Sequence, residues 1–313
     1  MKQTTYPPEF INHNSSTKEF PANPISSRRS LREVKLESEH TSNIYEEFLE
    51  ELKQKIEDPS IDNNDLCRDV LLDIYQVEKG NYEETKRDAA IPLTIRTSLA
   101  GFDPRNITLE PEYYAEINLE KYYAGKPLIW LWVMFDRSPI GQNLYLGIRL
   151  RRLLAGYIFK RCGKNVKIFH GMEFSFGYNL NVGDNVVFHR HTFIDDRGEV
   201  IIHDNTSISD YANVYSHDHS IIDQNNVSLG KTEIGPNARL TYHSTILSGI
   251  KIGNDAMVGT MGVVTRNVRP HHVNVGIPAK SVRVKPNACS SCDEECGRKA
   301  IVPPYSRKTG KDN

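Results

Sequence analysis

Long apolar runs are missing from this 313-residue chain. The longest, residues 128–135 (L-I-W-L-W-V-M-F), falls well short of the roughly 20 residues a membrane-spanning helix needs and reads as a buried segment. Cysteine is scarce: five in a chain this long do not make a disulfide framework, so a reducing cytoplasm is the expected location. The opening M-K-Q-T-T-Y-P-P-E-F has no apolar core of a signal peptide. Charge of one sign is not in excess either. The formal net charge is −1, which gives no global pull toward nucleic acid, and no nucleic-acid partner is expected.

What is present divides the chain. Residues 1–40 are polar and rich in Pro and Ser, and read as a loosely packed arm. A helical region is expected over 41–163. Ile44, Phe48, Leu52 and Ile56 mark one helix (41–58), Leu66, Val70, Leu71 and Ile74 a second (65–78), and a tyrosine-rich stretch a third (111–123). A longer helix is expected from Ser138 as cap, with Pro139 in its first turn and Gly163 at its exit. Its basic residues, Arg149, Arg151 and Arg152 among them, read as a solvated face in preference to a membrane-surface one.

From Val166 the texture changes. An aliphatic residue returns every six positions: Ile234, Leu240, Ile246, Ile252, Val258, Val264, and earlier Ile202, Ile208, Val214 and Val182, Phe188, Ile194. An even period keeps these side chains on one side of an extended chain. A turn after each six closes three short strands into a triangular coil, a solenoid signature. The expected fold is a parallel β-helix of hexapeptide repeats over 164–285, then a polar tail (286–313). The tail holds C-S-S-C-D-E-E-C, whose spacing fits no common zinc site.

The beat fails after Val214. The stretch V-Y-S-H-D-H-S-I is followed by Asp223, Gln224, Asn225 and Asn226, and the rhythm resumes at Ile234. Residues from about 217 to 231 are therefore expected to leave the coil as a loop with His217 at its root. A histidine has the intrinsic pKa to take a proton from a hydroxyl at neutral pH. His219, two residues on, can point to the same side and orient a substrate. Residues 256–292 contain no Asp or Glu but hold Arg266, Arg269, Lys280, Arg283 and Lys285, a basic run suited to a polyanion.

Four stretches carry a resemblance: F-I-D-D-R-G (193–198), V-Y-S-H-D-H-S, the run I-G-P-N-A-R-L…S-G-I-K-I-G-N-D-A-M-V-G, and V-V-T-R-N-V-R-P…V-G-I-P-A-K (263–280). Residues 166–285 resemble the hexapeptide-repeat acyltransferases, nearest the branch that acetylates maltose, galactosides and nodulation factors. The resemblance implies a left-handed coil, a homotrimer and acetyl-CoA as acyl donor, with no metal. It implies His217 as the general base, and Asp195 and Asp196, with His219, as contacts to a sugar or glycan acceptor. It also implies that Gly259, Arg266 and Lys280 serve the donor, although G-T-M-G (259–262) is bulkier than the family's usual G-A-G-S. Two other functions fit the same fold: a zinc hydratase of the γ-carbonic-anhydrase type, and a non-catalytic trimeric scaffold.

Overall fold

Apolar side chains set both halves of the fold, six α-helices followed by a parallel β-solenoid of about six turns. The structure, a computed structural model, describes residues 34–285 and 288; most of the 1–40 arm and the cysteine-bearing tail lie outside the described residues. The helices are α1 (Glu39–Glu57), α2 (Asn63–Ile74), α3 (Tyr82–Arg87), α4 (Leu93–Ala100), α5 (Leu119–Arg137) and α6 (Leu144–Ile158). Among the described residues no helix is long and apolar enough to cross a membrane.

Two helix expectations are corrected. The stretch 111–123 is not one helix: Glu110–Tyr113 makes a single 3-10 turn, and α5 begins after Asn118, whose side chain accepts from the Lys121 N–H at 3.0 Å. From there α5 runs through the apolar segment, burying Leu128, Leu131, Trp132 and Phe135. Ser138 ends α5 rather than starting α6, its N–H bonded to the Phe135 carbonyl at 3.0 Å. The S-P-I-G-Q-N stretch is a tight turn in which a Cβ on Gly141 would lie 2.3 Å from the Phe135 oxygen, so only glycine fits. Asn143 then caps α6, and Gly163 belongs to the first coil.

The solenoid has three faces. One stacks Lys167–Ile168, Val187–Phe188, Ser207–Ile208, Arg239–Leu240 and Met257–Val258 in parallel register. The next stacks Glu173–Phe174, Phe193–Ile194, Asn213–Val214, Thr245–Ile246 and Val263–Val264. The third stacks strands ending at Cys162, Val182, Ile202, Ile234 and Ile252. Beat residues such as Phe188, Ile208, Leu240 and Val258 are fully buried, and each contributes about 1.5–3 kcal/mol of apolar burial. One corner repeats Asn165, Asn185 and Asn205 at positive φ, with amide-to-amide bonds of 2.8 and 3.2 Å linking successive coils. Asparagine tolerates this left-handed geometry. The corner beyond the first face carries Gly171, His191, Tyr211, His243 and Met261, also at positive φ.

The helices dock on the first coil through aromatic edges. Phe174 meets Trp132 of α5 at 5.4 Å and Phe159 at 5.1 Å, both near perpendicular. Beside them the Arg151 side chain, 2% exposed, bonds Asp136 Oδ1 at 2.7 Å and the Gly141 carbonyl at 2.6 Å. The other Asp136 oxygen accepts the Gly171 N–H at 2.9 Å. One ion pair therefore ties α5, α6 and the first coil together. Asp136→Ala leaves a buried guanidinium without its counter-charge and is expected to cost about 3–5 kcal/mol of stability. Urea unfolding checks this.

Candidate active site

The broken beat is a hairpin. His217–His219 pairs antiparallel with Val227–Leu229, and Gly230 returns the chain to the third face. The hairpin leaves from the corner that follows the second face. One coil earlier the same corner holds Asp195, Asp196 and Gly198, and one coil before that Ser175. A Cβ on Gly198 would fall 2.3 Å from the Gly230 oxygen, so glycine lets the coils close around the hairpin root.

Asp195 is the centre of this corner, and its side chain is 1% exposed. Its Oδ2 lies 2.5 Å from His217 Nδ1 and accepts the Ser216 N–H at 3.0 Å. Its Oδ1 accepts the Ser175 hydroxyl at 3.1 Å. A carboxylate only accepts, so His217 carries its proton on Nδ1 and leaves the Nε2 lone pair free. His219 stands beside it, the rings 5.1 Å apart and nearly perpendicular. Its Nδ1 donates to the Gln224 carbonyl at 2.9 Å, which fixes the same tautomer. The His217 side chain is 16% exposed, and His219 is exposed.

The two aspartates have different roles. Asp196 is fully buried, and its oxygens accept the Phe176 N–H at 2.7 Å and the Asn179 N–H at 3.2 Å. Burial pushes its carboxyl from 3.8 up to about 6, against the pull of those backbone N–H groups. Asp196 thus holds the turn, and Asp195 holds His217.

The other expected residues lie further off. Gly259 is buried at the corner before the second face, where a Cβ would meet Val275 at 2.6 Å. Arg266 shares the His217 corner two coils on, about 10 Å along the axis at the usual strand spacing. Lys280 begins the last strand, Lys280–Val284. Arg266, Arg269, Lys280 and Arg283 are exposed and form no ion pair with described residues. His189 and His191 sit at the other corner of the second face, stacked on Phe169 and Tyr211.

Sequence reasoning missed Ser175 and Ser216, which complete the shell of Asp195. The signal was the coil length: Ser175 precedes Asp195 by 20 residues, the offset that also pairs Glu173 with Phe193. Also missed was a cavity of about 560 Å³ between α5 and the first coils, lined by Tyr114, Trp132, Glu173, Ser175, His191 and Phe193 among others. It adjoins the histidine corner through Ser175.

No protein-family model matches the chain. Over 137 residues it is 33% identical to a Staphylococcus aureus (strain Mu50) protein that carries the name “putative acetyltransferase”, covering 42% of this chain and 69% of that one. Over 54 residues it is 39% identical to a chloramphenicol acetyltransferase of Escherichia coli, 17% of this chain and 26% of that one. Among solved structures it is similar to a maltose O-acetyltransferase from Clostridium difficile 630, with 24% identity, TM-score 0.46, and 55% and 91% of the two chains covered. A galactoside acetyltransferase in complex with coenzyme A aligns with 25% identity and TM-score 0.47, over 53% and 80% of the chains.

The buried carboxyl gives a pH test. With a folded pKa of about 6 and an ordinary value of 3.8, native Asp196 binds more protons than unfolded Asp196 between these limits. Its contribution to stability is therefore full below pH of about 4 and falls, by about 3 kcal/mol in all, as pH rises through about 6. Wild-type stability minus that of Asp196→Asn should decline across this window in urea titrations. A level difference would contradict the assignment.

Proposed function

The chain belongs to the hexapeptide-repeat acetyltransferases, and from that premise we propose that it moves an acetyl group from acetyl-CoA to a hydroxyl of a sugar or glycan, with His217 as general base. The observation that carries this reading is the buried carboxylate of Asp195 on His217 Nδ1. It holds the ring in one tautomer and one orientation, so Nε2 accepts the hydroxyl proton and steadies the positive charge that follows. Asp195 acts through His217 and is a positioning residue. His217 Nε2 then keeps a proton available for the departing thiolate, so no covalent acyl-enzyme is needed.

Bound acetyl-CoA supplies the acyl group as an activated thioester. The residues that suit it are the cations of the last coils. Arg266 and Lys280, exposed and free of ion pairs with described residues, offer hydrogen bonds and charge to its phosphates. Gly259 keeps the neighbouring surface low. The homotrimer is proposed on the family basis, with exposed Tyr211, Tyr242 and Met261 on one corner as surface that it buries.

A second reading moves the base to His219. Its Nδ1–H is held by the Gln224 carbonyl, and the residue is more exposed than His217. His217, tied to Asp195, then supports the ring beside it.

Thiol release from acetyl-CoA over a panel of sugars separates these readings. His217→Ala is expected to lower turnover about 10²-fold or more, and His219→Ala by far less. The reverse order assigns the base to His219, and full activity in both variants removes the histidine mechanism altogether. Arg266→Glu and Lys280→Glu are each expected to raise the KM for acetyl-CoA about tenfold, an effect that shrinks in salt, while leaving the KM for the acceptor in place.

A further inference from the structure

A second cavity, of about 290 Å³, opens between the N-terminal half of α5, the end of α6 and the first coil. We propose that it is a binding site for a small organic carboxylate, an anionic head on one aromatic ring or short acyl chain. The site stands at the first coil, at the other end of the solenoid from Arg266 and Lys280, and is independent of the groups assigned to acetyl transfer.

The first argument is the polar lining, which is built of donors. Lys121, Lys160, Tyr122, Tyr157 and Tyr178 supply it, and among the described residues no Asp or Glu lines the cavity. Two of the five are engaged elsewhere: Lys160 bonds Glu199 at 2.9 Å, and Tyr157 bonds Glu57 at 2.7 Å. The other three have capacity left. Lys121 has no ion pair among the described residues and lies 5.9 Å from the centre of the Tyr178 ring. The Tyr178 hydroxyl accepts the Asn118 N–H at 2.8 Å, which leaves its own hydrogen for another partner. The Tyr122 side chain is 1% exposed, and its hydroxyl has no partner among the described residues. Native proteins leave few such groups unpaired. Burial pushes this phenol up, so it stays a neutral donor. A carboxylate, with several lone pairs on one group, answers all three, and the Lys121 ammonium favours its charged form.

The second argument is the space beside those donors. Ile129, Ile158, Phe159 and Phe176, all buried, form an apolar floor. Phe176 stacks on Tyr178 at 5.2 Å and meets Tyr122 edge to face at 6.5 Å, so two of the donors border one aromatic surface. Helix α5 presents Gly125 to the cavity, where a Cβ would meet only Ile129 Cδ1, at 4.0 Å. Glycine inside a helix costs stability relative to a residue with a side chain, and here it keeps the space open. The volume of about 290 Å³ lies at the small end of ligand pockets, which suits one ring or a short chain.

Calorimetry on the full chain tests this with benzoate and hexanoate, beside their neutral amides and acetate. Wild type is compared with Gly125→Leu, Tyr122→Phe and Lys121→Gln, with circular dichroism to confirm folding. Benzoate or hexanoate is expected to bind wild type roughly tenfold more tightly than its amide or acetate. Gly125→Leu, whose side chain grows into the cavity, is expected to abolish that binding. Tyr122→Phe and Lys121→Gln should each weaken it about fivefold or more, and the lysine variant should also lose most of its salt dependence. Since the Tyr122 hydroxyl bonds no described residue, Tyr122→Phe should leave the urea stability of the unliganded chain unchanged or raised, so its weaker binding reports the site and not the fold. No carboxylate binding, equal binding of the amide, or binding kept in folded Gly125→Leu overturns the proposal. Lys121 is an exposed side chain, so its variant decides the matter if the glycine variant does not fold: unaltered affinity there overturns the proposal as well.

Discussion

The requirement that each coil return to the same corner governs this molecule. Parallel strands in the solenoid bond residue to residue with the coil below, Ile194 over Phe174 and Val214 over Ile194. A slip of one position would turn every buried aliphatic side chain outward. Register is therefore fixed by the core, and whatever the corners carry is stacked into columns. Ser175, Asp195 and His217 are one such column. Their hydrogen bonds follow from residues 20 and 22 positions apart being forced into contact.

That constraint explains why the solenoid was legible and its chemistry only partly so. Ile208, Leu240 and Val258 announce the prism because nothing but aliphatic side chains fills it. The failure of the beat at His217 announced a departure from the coil, and the hairpin is that departure. The partner of His217 was harder to see. Asp195 and Asp196 are neighbours in a turn and look alike in sequence, but successive residues in extended chain face opposite ways. One aspartate meets the histidine and the other meets backbone N–H groups. Ser175 has nothing in its composition to distinguish it.

The helical half was less legible for a different reason. Its boundaries depend on which of several capable residues caps. Ser138 and Asn143 both suit a helix start, and the choice is made by Gly141, whose close approach to the Phe135 carbonyl fixes a turn between them. The buried Arg151 could not be told from its half-buried neighbours Arg149 and Arg152 by pattern alone. It is the one of the three that finds Asp136 and the Gly141 carbonyl within reach. Helices α3 and α4 are short and carry few buried side chains, so they left little periodicity to read.

The hairpin that carries the two histidines is inserted without interrupting the stack. Lys231–Ile234 pairs directly with Glu199–Ile202, as though the intervening segment were not there. Its tip, with Ile221 and Ile222 almost fully solvent-facing, bears no part of the prism's weight. Such a segment behaves as a cassette. Selection can lengthen, shorten or exchange it over generations while the scaffold beneath stays unaltered, so chemistry at this corner is free to diversify faster than the architecture that displays it.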